Sequence, residues 1–278
     1  MRKIYLGLFI GLCLSLSAQK ADIKDTKPFS LGVIDHIKSE SLGEDRVLNI
    51  YLPEGYDPNG KEVYPVIYLL DGSANEDFIH VCGVVQFLTQ IVDSLPKAIV
   101  VGIANVDRQR DFTYSPAADD VFKIPMPTAG GSGKFISFLE KELLPYIQKK
   151  YRGTGSQTLI GQSLGGLVAT EILIKQTDLF DNYLIVSPSL WWHKEEMLKG
   201  AVQSGFRMRK PASLCVAVGG REETVMQEDA KELLSTFNEF AGKGARAYLL
   251  PMPGENHLTI LHNAVYLGLP ILLHKTKK

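Results

Sequence analysis

Short apolar runs alternating with stretches of helical period constrain this chain more than any other feature. The runs "RVLNIYL", "YPVIYLL", "KAIVVGIA", "QTLIG", "NYLIVS", "SLCVAVG" and "ARAYLLPM" are rich in β-branched residues and mostly unbroken by polar ones. Continuous rather than alternating apolarity marks strands that are covered on both faces. Between the runs lie amphipathic stretches, the clearest being "KFISFLEKELLPYIQKKY", which spaces Phe135, Phe138, Leu139 and Leu143 for one helical face. Strand following helix following strand predicts an α/β fold with a mainly parallel sheet and helices on both sides. The leading "LGVIDHIKSESLG" and "EDRVLNIYL" are joined by a short turn, which predicts an antiparallel hairpin at the N-terminal edge. With 278 residues, 45% of them hydrophobic, and no repeat, low-complexity tract or linker, one domain over residues 19–278 is the economical expectation.

The first residues, "MRKIYLGLFIGLCLSLSAQKAD", have the layout of a secretory signal peptide. Arg2 and Lys3 precede an apolar run from Ile4 to about Leu16, and small residues end at Ala18. The run is short for a membrane span, which needs about 20 apolar residues. Cleavage near Ala18 and export to the periplasm or medium are expected, with no stable membrane insertion afterwards. Leu16 makes the cleavage site imperfect, so an uncleaved anchor stands as the alternative. Leu12 before Cys13 is larger than lipidation sites accept. Of the cysteines beyond this segment, Cys215 lies in a strand-like run, and Cys82 and Cys215 are expected as two free buried thiols.

Thirty basic against thirty-one acidic residues leave a net charge of −1, so no strong field favours nucleic acid or an anionic membrane. The expected partner is a small-molecule or glycan substrate. Nothing in the sequence sets an oligomeric state. The least regular segment, "NVDRQRDFTYSPAADDVFKIPMPTAGGSG" at residues 105–133, leaves the carboxyl end of a strand, the edge where open α/β sheets place ligands. A substrate-facing role is expected there.

The motif that carries chemistry is "TLIGQSLGGLVAT", residues 158–170, in which Gly161, Ser163 and Gly165 satisfy G-x-S-x-G between a strand and a helix. A nucleophile on a sharp strand-to-helix turn needs neighbours without Cβ atoms, because strand and helix come close there. The turn also aims the helix N-terminus and the Leu164 amide at the oxygen on which charge develops. A serine hydroxyl needs a base, and the base needs an orienting acid. Of six histidines, His257 in "LLPMPGENHLTI" follows the last strand and is the candidate base. Glu222 and Glu223 follow the strand before it, Glu222 being the preferred acid and Glu223 the alternative. The order Ser163, Glu222, His257 is nucleophile, acid, base. Asp71-Gly72 ends a strand and offers the Ser73 amide as a second oxyanion donor, or else is a plain tight turn.

Together, "VIYLLDG", "VVGIANVDRQRDFT", "LIGQSLGG", "IVSPSLWW", "VAVGGREE" and "GENH" resemble, in order and spacing, the Putative esterase group of α/β-hydrolases. That group includes esterase D-like enzymes, feruloyl and acetyl-xylan esterases and ferric-enterobactin esterases, and the resemblance spans roughly residues 30 to 275. It implies carboxylic-ester hydrolysis without metal or organic cofactor, with Ser163, His257 and Glu222 at the matching catalytic positions. The motifs are specific for the superfamily and weak for any one substrate. Two features match the substrate side. Trp191 and Trp192 form an aromatic wall for an acyl or catechol ring, or pack in the core. Arg108 and Arg110 hold an anionic group of the substrate, or form loop salt bridges with Asp107 or Asp111. Acyl transfer to an alcohol, or a binding protein without catalysis on the same fold, are the alternatives to ester hydrolysis.

Overall fold

The computed structural model describes residues 25–114, 125–153, 155–175 and 178–273. The expected signal segment and Cys13 lie outside the described residues. The chain divides into two units, Met1–Ser30 and Leu31–Lys278. In the second unit eight strands form one sheet: β1 Val33–Ser39, β2 Glu44–Tyr51, β3 Val66–Leu69, β4 Ile99–Ile103, β5 Gln157–Gln162, β6 Asn182–Val186, β7 Ser213–Gly219 and β8 Arg246–Met252, in the order β1-β2-β4-β3-β5-β6-β7-β8. β1 pairs antiparallel with β2, and β2 antiparallel with β4. The remaining pairs are parallel. This is the mixed sheet that the runs of apolar residues predict, with the hairpin where it was expected.

The unbroken apolar runs are explained by two cores, one on each face. Val66, Tyr68 and Leu70 face one core, with Ile99, Val101, Tyr183, Ile185, Leu214 and Val216. Their neighbours Ile67, Leu69, Val100, Leu184, Cys215 and Ala217 face the other. Successive side chains in a strand point to opposite faces, so both parities must be apolar. The second core is closed by α1 (Phe78–Gln90) and α8 (Ile260–Leu272). The first is closed by α3 (Ser132–Phe138), α4 (Leu144–Tyr151), α5 (Leu164–Lys175), α6 (Glu196–Ser204) and α7 (Thr224–Phe240). Cys82 and Cys215 are buried free thiols.

Two local departures from the sequence reading have physical causes. The amphipathic stretch at 134–151 is not one α-helix, because Pro145 lacks the amide that a continuous ladder needs; a π-helical turn at Leu139–Leu143 joins α3 to α4. The segment after β4 contains a short helix, α2 (Arg108–Phe112), capped by the Asp107 carboxylate, which accepts from the Arg110 amide at 3.1 Å. Among the described residues no helix is long and apolar enough to cross a membrane.

From β3 the chain crosses to β4 on one side and then to β5 on the other. Loops leaving the carboxyl ends of β3 and β5 therefore diverge, which opens a crevice at that edge. β5 delivers Ser163 there.

Candidate active site

Ser163 sits between β5 and α5 with φ of 59°, the left-handed region that a non-glycine residue enters at a cost. Its amide donates to the Val186 carbonyl at 3.1 Å, and its carbonyl accepts from the Leu167 and Ser189 amides at 2.9 and 3.0 Å. These bonds over-determine the turn. A Cβ at Gly161 would lie 2.3 Å from the Gly165 carbonyl oxygen, so only glycine lets helix and strand approach this closely. The Ser163 hydroxyl is 3.3 Å from that of Ser189 in this state. Leu164 opens α5, which places its amide at the helix N-terminus beside the hydroxyl.

Glu222 and His257 arrive from the loops after β7 and β8. Glu222 Oε2 lies 3.0 Å from His257 Nδ1, while Oε1 accepts from the Gly219 amide at 2.8 Å and from the Ser187 hydroxyl. The Glu222 side chain is 1% exposed and that of His257 39%, so a buried carboxylate orients a half-open imidazole. Burial acts to raise the Glu222 pKa, but the hydrogen bonds from His257, Ser187 and Gly219 outweigh it and hold the carboxyl below its ordinary value. A carboxylate bonded to Nδ1 leaves Nε2 as the nitrogen that faces substrate. The His257 carbonyl accepts from the Gln162 side chain, which ties the β8 loop to the residue before Ser163. Glu223, the alternative acid, is exposed at the start of α7.

One cavity of about 520 Å³ contains Ser163, Leu164, Glu222 and His257 in its wall. Met126, Trp191, Met226 and Leu258 give it apolar sides. Both tryptophans are buried in the first core, at 4% and 1% exposure, and Trp191 also lines this cavity. The arginines part. Arg108 reaches the cavity wall, but its guanidinium is bound to Asp71 by two hydrogen bonds of 2.6 and 2.9 Å. Burial opposes the Arg108 charge and the Asp71 pair outweighs it, leaving its pKa raised. Arg110 does not line the cavity. It bonds to Glu44 and Asp111, which also hold the fully buried Arg46, so it closes an ion-pair network between β2 and α2. Its partners include Asp111, one of the two acids expected for a loop salt bridge. The Ser73 amide donates to the Glu76 carboxylate at 3.0 Å, within a turn where the Glu76 amide returns to the Ser73 carbonyl. That amide is engaged, and Ser73 is not among the residues that line the cavity.

Sequence reasoning passed over Ser187, Ser189 and Arg221. The first two lie in the quoted "SPSLWW" and follow β6, so their place at the active edge was legible even though their bonds were not. Arg221 stands beside Glu222 and also lines the cavity.

A hydroxyl on a strained turn, an imidazole and a buried carboxylate in one partly apolar cavity form equipment for acyl transfer. Sheet order and the place of Ser163 after β5 define the protein as an α/β-hydrolase. The family model described as "Putative esterase" matches residues 39–242. The ferri-bacillibactin esterase BesA of Bacillus subtilis is 30% identical, over 84% of this chain and 87% of that one. Among solved structures, an IroE-like serine hydrolase from Shewanella oneidensis superposes with a TM-score of 0.78 at 32% identity, covering 87% of this chain and 80% of that one. The siderophore hydrolase EstA from Aspergillus nidulans shares the fold, with a TM-score of 0.74 at 19% identity over 90% of this chain and 98% of that one. The chain belongs to the Putative esterase family and is a carboxylic-ester hydrolase.

Proposed function

We propose that this protein hydrolyses siderophore esters through an acyl-enzyme on Ser163. The observation that carries the reading is the Glu222 to His257 contact of 3.0 Å in the same cavity as Ser163. His257 Nε2 takes the Ser163 proton as Oγ attacks the ester carbonyl, and the Leu164 amide donates to the oxyanion. The C–O bond to the alcohol breaks as His257 returns the proton to the leaving oxygen. Water, deprotonated by His257, then attacks the acyl carbonyl, and Ser163 leaves with that proton. Glu222 stays ionised, fixing the tautomer and stabilising the imidazolium. The relatives named ferri-bacillibactin esterase and siderophore enterobactin esterase support the substrate class. So do Trp191, Met126 and Met226, an apolar wall suited to an aromatic acyl group. The proposal includes export, on the layout of residues 1–18.

The test is a hydrolysis panel on the purified protein: p-nitrophenyl acetate, methyl ferulate, acetylated xylan and ferric enterobactin. Highest kcat/KM on ferric enterobactin is expected, with Ser163→Ala lowering turnover on the order of 10⁶-fold. Preference for ferulate or xylan esters would overturn the substrate class. Undiminished turnover by Ser163→Ala would overturn the mechanism.

A further inference from the structure

Three arginines stand near the carboxyl edge of the sheet, and they differ in what holds them. Arg108 is bound to Asp71, and Arg110 to Glu44 and Asp111. Arg221 lines the catalytic cavity, is exposed, and makes no side-chain hydrogen bond or ion pair among the described residues. Its backbone is nevertheless fixed. The Arg221 amide donates to the Glu255 carbonyl at 3.0 Å, and the Gly220 amide to the Met252 carbonyl at 2.9 Å, which clamps the β7 loop to the β8 loop. A Cβ at Gly219 would lie 2.7 Å from both Glu222 Oε1 and the Glu255 carbonyl, so the turn that presents Arg221 is packed tight. The Glu255 side chain is turned to Asn263, at 2.6 Å. Glu223, exposed, lines the same wall, and the acid on which the Arg221 charge acts is Glu255, whose pKa it helps to lower after Thr259 and Asn263.

An exposed guanidinium with no hydrogen-bond partner among the described residues, on a rigid turn beside Glu222 and in the cavity wall, is placed to meet the substrate. With a chain charge of −1, no global field draws an anion to the cavity, so any such attraction falls to a local cation. We propose that Arg221 is the residue that selects anionic esters, by donating to a carboxylate or catecholate oxygen of the bound substrate. This rests on the ester hydrolysis at Ser163 proposed above.

Two esters with one leaving group and nearly one shape isolate the charge: the mono-4-nitrophenyl ester of terephthalic acid, which keeps a free carboxylate, and 4-nitrophenyl 4-methylbenzoate, which is neutral. The quantity read is the ratio of kcat/KM, anionic over neutral. Arg221→Gln is expected to lower that ratio about tenfold, chiefly through KM, the scale of one lost charge-assisted hydrogen bond. Arg221→Lys restores part of it. Glu223→Gln is expected to raise it. In the wild type the ratio falls as NaCl rises from about 0.05 to 0.5 M, and in Arg221→Gln this dependence flattens. Ratios that stay at the wild-type value in active Arg221→Gln and Glu223→Gln would overturn the proposal and leave ester hydrolysis standing. A wild type that cleaves neither ester, or a Ser163→Ala protein that cleaves both as well as the wild type does, overturns the two together.

Discussion

Glu222 is pulled both ways, since burial disfavours its charge while three donors favour it, and the donors win. Glu222→Gln keeps the shape and removes the charge that, in the proposed mechanism, stabilises the His257 imidazolium. Turnover of p-nitrophenyl acetate should fall roughly 10²- to 10⁴-fold in the variant, measured under saturating substrate. Activity within a factor of two of the wild type would show that the carboxylate plays no part. Sequence alone left Glu222 and Glu223 side by side, because adjacent residues differ only in the direction their side chains take. The turn at Gly219 and Gly220 decides that direction, aiming Glu222 inward while Glu223 begins α7. The arginines were obscured for a related reason. Their positions after β4 were legible, but Asp71 and Glu44, which engage them, lie 37 and 66 residues away in the chain.

At the scale of elements, the eight strands were readable because both cores demand apolar residues at both parities. Helix α2 was not, since five residues are too few to show a period, although Asp107 carries the cap. Nor could the sequence disclose that His193, Lys194 and Glu195, three consecutive non-glycine residues, adopt left-handed backbone after Trp192. The strand-to-helix turn at Ser163 was the most legible element, and it gives the clearest test of packing. Gly161→Ala forces a Cβ into the Gly165 carbonyl, and should cost about 1–3 kcal/mol of stability along with most of the esterase activity. Gly83→Ala is the counterpart: nothing lies within 4 Å of a Cβ there, in the middle of α1, so it should gain about 0.5–1 kcal/mol. Thermal melts of the two variants should move in opposite directions. Equal shifts would mean that crowding at the turn is not what fixes Gly161.

For the molecule as a whole, Asp229 makes stability depend on pH. It is buried on α7, its Oδ2 has no hydrogen-bond partner, and its pKa is pushed up to about 7, first by burial and then by Glu195, Glu232 and Glu228. The folded state therefore holds this proton where the unfolded chain has released it. Stability falls as the pH rises from the ordinary value of 3.8 to about 7, and the loss is complete above that. Asp229→Asn does not titrate, so its Tm should exceed that of the wild type by more at pH 8 than at pH 4. A gain of about 1 kcal/mol corresponds to about 2–4 °C for a chain of this size. A difference that does not change with pH would contradict this role for Asp229. Fold, cavity and loops nonetheless converge on one atom, the Oγ of Ser163. The most direct measurement is covalent: incubation with a fluorophosphonate, followed by mass spectrometry of the peptides. A single phosphonyl adduct on Ser163, formed in step with the loss of ester hydrolysis and absent from Ser163→Ala, is expected. No adduct, or an adduct on another residue that tracks the loss of activity, would contradict Ser163 as the nucleophile.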